Sequence, residues 1–239
     1  MDQPWRNWKH ITKLDPDRKI SAEGIKTVVE SGTNAVMVSG TQGVTREKVQ
    51  ALVNALKDYD IPVVLEPSNP KSIVYNDIDY IFVPSVFNTN NARWINGLHK
   101  TWVKYDNGLN WDIVVPEAYI ILNPKCRAAR VTKAIPLKRE DVIAAAVTAE
   151  QFFKFPIIYI EYSGVYGDPS LVADVKKALK YAHLIYGGGI NSKERAEEMS
   201  KYATIVVGNT IYENGTKSLI ETVKGVLERI KKLRLKKKS

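Results

Sequence analysis

The feature that most constrains the fold is a series of eight short apolar runs, separated for the most part by longer segments rich in charged residues. Each run is nearly continuously apolar, which is typical of parallel strands that are buried on both faces. Parallel strands need crossover connections, and most of the intervening segments are long enough to form helices. The predicted strands span residues 10–15, 35–40, 62–66, 80–85, 118–123, 157–163, 182–188 and 204–209.

Amphipathic helical patterns lie between most of these strands, and Ser21 and Thr45 are suitable N-caps for the first two. The exception is the segment 67–79, which has two prolines and no helical stripe. The pattern predicts a single-domain TIM (β/α)8 barrel over residues 1–239 whose third helix is missing or irregular. A doubly wound open sheet is the alternative. The clearest predicted helices span 21–32, 45–59, 138–153, 168–182, 191–203 and 216–233.

Composition narrows the class of protein. The single cysteine, Cys126, excludes an intrachain disulfide and indicates a reducing compartment. No apolar run reaches the ~20 residues of a membrane span, and we see no signal peptide, so we expect a soluble, cytoplasmic protein. The net charge is +9, and the tail 229–239 contains seven lysines and arginines and no acidic residue. Because most of the net charge is confined to this tail, we expect no nucleic-acid binding. The tail is either a solvated helix end or a weak contact for a membrane surface.

Glycines end the last two predicted strands, at 187–189 and at Gly208. The last two strands of a TIM barrel commonly supply a phosphate site from backbone N–H groups and a helix N-terminus. A Cβ would obstruct the close approach of a phosphate oxygen, so these glycines predict a phosphate cradle. The alternative is that they only form tight turns.

Charged and hydroxyl side chains follow the first two predicted strands. Lys13 and Asp15 lie on the same side of their strand because side chains alternate, and in a barrel that side can face inward. An ammonium and a carboxylate there suit an anionic substrate held with Mg²⁺, and Thr41 is a second candidate oxygen ligand. Asp17 is expected to point away, and a buried Lys–Asp ion pair is the structural alternative.

Glu161 lies in an otherwise apolar strand, beside the hydroxyls of Tyr159, Tyr162 and Ser163. A buried carboxylate needs a partner, and this cluster suits a polyol whose hydroxyl proton the carboxylate accepts. An ion pair inside the barrel is the alternative.

The three histidines and the cysteine show no metal-ligand or catalytic spacing. We interpret His10, His99, His183 and Cys126 as structural or surface residues. The basic segment 126–134 is either an anion entrance or a solvated helix start.

Seven segments in order, from WKHITKLDPD at Trp8 to VVGNTIYE at Glu213, resemble the geranylgeranylglyceryl phosphate synthase family. The others are SGTNAVMVSGTQGVT, VLEPS, FVPSVFN, YIEYSGVYGDP and YGGGI. The family includes bacterial heptaprenylglyceryl phosphate synthases. The resemblance implies a TIM barrel that lacks a regular third helix, and a homodimer. It also implies transfer of geranylgeranyl diphosphate to the sn-3 hydroxyl of sn-glycerol 1-phosphate.

The same resemblance implies residue roles. The family's magnesium site matches Asp15 and Thr41. Glu161 is the candidate to position or deprotonate the glycerol hydroxyl. The glycerol phosphate site matches Lys13, Tyr159, Ile160, Glu161, Tyr162, Ser163, Gly164, Gly189, Gly208 and Asn209.

The segment 93–105 is a candidate wall for the prenyl chain, although its tryptophans could equally be ordinary helix packing. By resemblance, a bulky aromatic residue at Trp102 limits chain length and indicates geranylgeranyl diphosphate as substrate. Three alternatives remain: a heptaprenyl product, another phosphate-binding barrel enzyme, or a non-catalytic protein that binds nucleic acid through its tail.

Overall fold

The fold is a closed barrel of eight parallel strands that pair in chain order, with β8 returning to β1. We describe it from a computed structural model that covers residues 3–106 and 108–236. The predicted TIM barrel is therefore confirmed, and the doubly wound sheet is excluded. The strands are β1 (His10–Leu14), β2 (Ala35–Val38), β3 (Val63–Leu65), β4 (Tyr80–Val86), β5 (Val114–Ile121), β6 (Ile157–Glu161), β7 (His183–Gly187) and β8 (Thr204–Val207).

The prediction for β5 was wrong at both ends, because it placed the strand at 118–123. Val114 to Glu117 pair with Ile81 to Pro84 of β4, so the strand starts four residues earlier than predicted. Pro116 and Glu117 hid this start, since proline and a charged residue are both unusual in a central strand. Several other strands end one or two residues before the predicted limit.

Helices cover the outside of the barrel wherever the sequence predicted them. In the third unit, however, only a short 3-10 turn at Pro70–Ser72 separates β3 from β4, as predicted. The last helix begins at Asn209 rather than at 216 and bends at Gly215. The helices are α1 (Ala22–Glu30), α2 (Arg46–Leu56), α3 (Leu98–Tyr105), α4 (Arg127–Thr132), α5 (Arg139–Gln151), α6 (Pro169–Ala178), α7 (Lys193–Met199) and α8 (Asn209–Lys236).

Two apolar cores follow from the alternation of side chains along each strand. One packs between the strands and the helices, and the other fills the barrel interior. Trp5 and Trp8 belong to the interior core and lie at the amino ends of the strands. The carboxyl ends of the strands are left for polar side chains. Within the described residues, no helix is both long and apolar enough to cross a bilayer.

Candidate active site

A polar cavity lies at the carboxyl ends of β6, β7 and β8. Its walls include the loop after β6, the glycines after β7 and the chain around Gly208. Lys13 of β1 closes one side, and Glu161 of β6 points into it. The cavity therefore combines an ammonium, a carboxylate and exposed backbone amides, which suits a small anionic polyol.

The three glycines of this cavity have a packing role that the sequence did not reveal. A Cβ at position 187 would overlap the Tyr159 hydroxyl, and one at position 188 would overlap Tyr162. Gly189 has φ of +57°, and its Cβ would overlap the backbone of Val165 and Tyr166. Gly188 and Gly189 are thus approached by the loop after β6, and Gly187 is approached by Tyr159 of β6 itself. That these glycines also clear space for a phosphate stays a prediction.

Lys13 and Glu161 face each other inside the barrel wall and set the local electrostatics. Burial alone would lower the pKa of Lys13, but the carboxylates of Glu161, Glu66 and Asp15 outweigh it and raise that pKa. The ammonium therefore stays charged at neutral pH. Among the described residues, it is the one basic group that borders both this cavity and a second, apolar one described below.

Glu161 is held in place by two hydrogen bonds. The Tyr119 hydroxyl donates to Oε2 at 2.7 Å, and the backbone N–H of Ser163 donates to Oε1. Burial raises the pKa of Glu161 despite the opposing influence of Lys13 and Tyr119. A carboxylate with a raised pKa is a better proton acceptor than an ordinary one.

The Tyr159 hydroxyl is a buried polar atom beside the cavity. The ring stacks on Tyr119 with 4.6 Å between centroids, so its position is fixed. Within the described residues, the hydroxyl has no hydrogen bond of normal geometry. A buried, unpartnered hydroxyl at a cavity wall is suited to bind a ligand oxygen.

Two further carboxyls lie deeper in the barrel. Glu66 Oε2 accepts a hydrogen bond from the Ser39 hydroxyl at 2.5 Å. Glu117 is fully buried, and burial together with the neighbouring Glu66 raises its pKa well above the usual range. Because two adjacent carboxyls in a buried site resist ionising together, Glu117 keeps its proton to a higher pH than an ordinary glutamate does.

Asp15 follows β1 and lies against the loop after β2. Its Oδ1 accepts the N–H of Asp17, and its backbone N–H donates to the Tyr212 hydroxyl at 2.9 Å. A Cβ at Gly40 would overlap Asp15 Oδ1, so the carboxylate packs directly against the residue before Thr41. A carboxylate is a suitable ligand for Mg²⁺, which commonly takes its remaining ligands from substrate phosphates and water. Asp17 points away, as expected, to Lys48 at 2.5 Å.

The apolar groove begins on the other side of Lys13 and passes between β3, β4 and β5. The short third unit lines one side of it with Pro67, Pro70 and Ile73, at the place where a regular helix would otherwise stand. Trp102 of α3 lines the groove and is 4% exposed. Its indole N–H donates to the Tyr75 hydroxyl at 3.0 Å and to Asp106 at 3.1 Å, so its orientation is fixed.

The structure brings most of the predicted glycerol phosphate residues to one place. The side chains of Ile160 and Tyr162 are exceptions, because Ile160 lies in the outer core and Tyr162 packs on Tyr186. Thr41 and Trp102 border the apolar groove instead. The predicted residues that line the polar cavity are Lys13, Tyr159, Glu161, Ser163, Gly164, Gly189, Gly208 and Asn209.

Arg195 borders the polar cavity and was not anticipated from the sequence. Its guanidinium donates to the Gly189 carbonyl at 2.9 Å and lies over the Tyr166 ring at 4.9 Å. It stands in an ordinary charged helix, α7, so no local signal separated it from a surface arginine. Tyr119 was missed for a related reason, since its contact with Glu161 spans two strands.

The residues interpreted as structural have structural contacts. His10 is buried between the hydroxyls of Thr33 and Thr222, and burial lowers its pKa to about 3. The Cys126 thiol accepts the N–H of Ala129 and caps α4. His183 contacts Thr204. His99 differs, because it borders the groove while its ring is hydrogen-bonded to the Pro84 carbonyl.

Comparison with known proteins gives a consistent result. The PcrB family profile matches residues 3–227. Geranylgeranylglyceryl phosphate synthase of Methanoregula boonei is 49% identical over 93% of this chain and 99% of its own. Heptaprenylglyceryl phosphate synthase of the bacterium Lysinibacillus sphaericus is 44% identical over 92% of this chain and 96% of its own.

A solved structure also resembles the barrel closely. It is (S)-3-O-geranylgeranylglyceryl phosphate synthase from Thermoplasma acidophilum, in complex with sn-glycerol-1-phosphate. The TM-score is 0.80 at 25% sequence identity, and the match covers 96% of each chain.

Proposed function

Because this chain belongs to the PcrB family, we propose that it is a prenyltransferase that joins geranylgeranyl diphosphate to the sn-3 hydroxyl of sn-glycerol 1-phosphate. The observation that carries the proposal is the pair of unlike cavities that meet at Lys13. One is polar and suits a small anion, and the other is apolar and suits a long hydrocarbon. A reaction that joins a polyol phosphate to a polyprenyl chain needs both.

We assign the polar cavity to glycerol phosphate. Lys13 supplies positive charge, and the backbone around Gly189, Gly208 and Asn209 supplies N–H donors for the phosphate. The run Tyr159 to Gly164 surrounds the glycerol, with Ile160 and Tyr162 contributing through the backbone. The unpartnered Tyr159 hydroxyl supports this assignment, since a glycerol or phosphate oxygen would satisfy it.

The reaction then follows from the arrangement of charge. The bond between the allylic carbon and the diphosphate breaks, and both electrons leave with the diphosphate. The glycerol sn-3 oxygen forms a new bond to that carbon, and Glu161 accepts the hydroxyl proton. Lys13 stabilises negative charge where the two cavities meet. Tyr119 keeps the carboxylate of Glu161 directed at the hydroxyl.

We assign a magnesium site to Asp15 and Thr41, and the metal would stabilise the departing diphosphate. Asp15→Asn keeps the size of the side chain and removes its charge. We expect kcat to fall by about 10²-fold or more, while glycerol phosphate still binds in calorimetry. Asp17→Asn is the matched control, because that carboxylate pairs with Lys48. Wild-type activity of Asp15→Asn at limiting Mg²⁺ would exclude the assignment.

We propose that Trp102 limits the length of the prenyl chain. It borders the groove, and hydrogen bonds to Tyr75 and Asp106 fix its orientation. A rigid indole at this depth limits the hydrocarbon that the groove can hold. This favours geranylgeranyl diphosphate over the heptaprenyl substrate that the name of the bacterial relative implies.

Three features remain proposals: a homodimer, which rests on the family resemblance; a cytoplasmic location, which rests on composition; and weak membrane contact through the tail, which rests on the tail's charge. The last described turns of α8 return to the amino ends of the strands, where Arg229 contacts the Lys201 carbonyl. If the tail contacted a bilayer, the apolar groove would therefore face away from that bilayer. Light scattering measures the assembly, and vesicle binding of a chain truncated after Arg229 measures the role of the tail.

The function is tested by incubating the protein with sn-glycerol 1-phosphate, labelled geranylgeranyl diphosphate and Mg²⁺. We expect an organic-extractable product that contains both the label and phosphate, together with released diphosphate. Glycerol 3-phosphate, the mirror-image substrate, is the matched control. Absence of a product from a folded protein would favour a different phosphate-binding barrel enzyme, and salt-sensitive retention of DNA would favour nucleic-acid binding.

A further inference from the structure

The mouth of the apolar groove is bordered by two segments with an unusual charge pattern. Residues 93–105 comprise a helical turn and α3, and residues 124–138 comprise α4 and its flanks. Together they contain eight lysines and arginines and neither an aspartate nor a glutamate. All eight basic side chains are exposed. We refer to these two segments as the mouth face.

The positive charge of the mouth face is not neutralised locally. Within residues 3–106 and 108–236, none of the eight basic side chains forms an ion pair. The acid nearest in sequence, Asp106, already accepts hydrogen bonds from Tyr75, Trp102 and Gly108. The face is therefore available to an anionic partner.

The same face exposes large apolar side chains, which a purely electrostatic surface would not need. Val103 is 51% exposed and Tyr105 is 71% exposed, both on α3. Val131 of α4 is also exposed while it lines the groove, so the apolar surface continues from the groove to solvent. Basic side chains beside exposed apolar ones are typical of helices that lie in a membrane interface.

We propose that the mouth face docks on an anionic membrane surface and opens the groove towards the lipid. The inference rests on the proposed function in one respect, because it is the polyprenyl substrate that makes a membrane the natural source. The basic side chains attract lipid headgroups, and Val103 and Tyr105 enter the boundary between headgroups and acyl chains.

A second copy of this chain is a poor occupant of the mouth face. A symmetric contact would bring eight positive charges of each copy against those of the other, and like charges across an interface are strongly unfavourable. Nucleic acid would account for the charge but not for the exposed aliphatic side chains next to the groove. The last described turns of α8 do not cover this face, because they lie at the opposite end of the barrel, where Arg229 contacts the Lys201 carbonyl.

The first experiment measures sedimentation of the full chain with vesicles of phosphatidylcholine that contain phosphatidylglycerol, against vesicles of phosphatidylcholine alone. The test variant is Lys100→Gln/Lys104→Gln/Arg127→Gln/Arg130→Gln. The matched control removes four exposed lysines elsewhere, in Lys57→Gln/Lys176→Gln/Lys177→Gln/Lys201→Gln. Since each basic residue near the surface strengthens binding about fivefold, the test variant should bind at least about tenfold more weakly than the control.

A second experiment separates this proposal from the proposed function. Turnover is measured with prenyl diphosphate dispersed in detergent and with the same substrate embedded in the anionic vesicles. The test variant should match wild type in detergent and be slower on vesicles, and Tyr105→Ser should give a smaller loss of the same kind. If no protein turns over substrate in either form, the proposed function fails, while the sedimentation result still decides the docking.

Several outcomes would overturn the docking proposal. One is equal vesicle binding by the test and control variants, since the mouth face would then contribute nothing particular. Another is a change in oligomeric state of the test variant by light scattering, which would make the face an interface between copies. A third is a wild-type chain that binds DNA but no vesicles, together with a test variant that no longer binds DNA.

Discussion

The polar cavity and the apolar groove share Lys13 but are built in different ways. The cavity is formed by strand ends and by glycines. At these glycines, neighbouring protein atoms occupy the space that a side chain would need. The groove is walled by side chains from α3, α4 and the short third unit. In the cavity the backbone itself defines the shape, whereas in the groove single side chains define it.

This difference indicates which part of the site can change. A cavity fixed by backbone contacts accepts few substitutions, so the glycerol phosphate end of the reaction should be constant. A groove fixed by side chains can be lengthened or shortened by one substitution. The following experiments test that contrast, beginning with the largest expected effect.

Glu161→Gln should show the strongest effect in the cavity. The variant loses its proton acceptor, and we expect kcat to fall by about 10²–10⁴-fold. Binding of glycerol phosphate, measured by calorimetry, should change far less because the amide keeps the shape of the carboxylate. In wild type, kcat/KM should rise with pH as Glu161 loses its proton, and the pKa of this limb should lie above 4.5.

Glu213→Gln is the control, because Glu213 borders the same cavity but is exposed. Its kcat should stay close to that of wild type. If Glu161→Gln keeps more than a tenth of the wild-type kcat, the carboxylate only positions the substrate.

Gly189→Ala tests whether the cavity is fixed by backbone contacts. Gly189 and Gly215 both have positive φ, but a Cβ at 189 would overlap the loop after β6, and at Gly215 nothing lies within 4 Å. We expect Gly189→Ala to lower the free energy of unfolding by about 3 kcal/mol, from the sum of backbone strain and overpacking. Gly215→Ala should cost only the backbone strain, about 1–2 kcal/mol. Equal effects in urea denaturation would contradict the packing role of Gly189.

Trp102→Ala tests whether the groove is adjustable. Removing the indole should raise the ratio of kcat/KM for a heptaprenyl over a geranylgeranyl substrate by about tenfold, since overfilling a packed space costs about 1–3 kcal/mol. Trp111→Ala is the control, because Trp111 is exposed and does not line the groove. The substitution also removes buried surface, so Trp102→Phe is measured beside it to separate chain length from stability.

An unchanged ratio in both Trp102 variants would show that another group limits the chain. A wild-type preference for the longer substrate would contradict the assignment directly.

Glu117→Gln tests the barrel interior beneath both regions, and we expect its effect on stability to depend on pH. The folded protein holds the Glu117 proton at pH values where the unfolded chain, with a pKa of 4.5, has released it. The free energy of unfolding should therefore fall as the pH rises from 4.5 towards the folded pKa. Glutamine cannot ionise, so the variant does not lose stability in this way. For each rise of one pH unit in this range, the variant should therefore become about 1.4 kcal/mol more stable relative to wild type.

Glu150→Gln should behave in the opposite way. Its carboxylate accepts N–H groups of Lys180, Tyr181 and Ala182, which together lower its pKa despite its burial. Wild type therefore loses this stabilisation as the pH falls, and the variant should be less stable than wild type at neutral pH. If both substitutions changed the stability relative to wild type in the same direction at neutral pH, the pKa values of these two carboxyls would not explain the pH dependence of stability.

The sequence predicted the barrel because buried parallel strands leave a strong local pattern, and the absent third helix because two prolines are a strong local signal. It also singled out Glu161, since a charge in an apolar strand is conspicuous. Arg195 and Tyr119 could not be found in this way, because their roles depend on contacts with distant residues. Glu117 was missed because Pro116 and Glu117 are both residue types that are unusual within a central strand.

The irregular third unit has a consequence for how such a site can arise. In a complete (β/α)8 ring, the space between Pro67 and Ile73 would be filled by a helix, and the strand ends would open only upward. Here the short turn Pro70–Ser72 stands in that place, and Pro67 and Ile73 on either side of it line the groove directly. A shortened crossover can thus supply a wall for a long apolar ligand with no added domain.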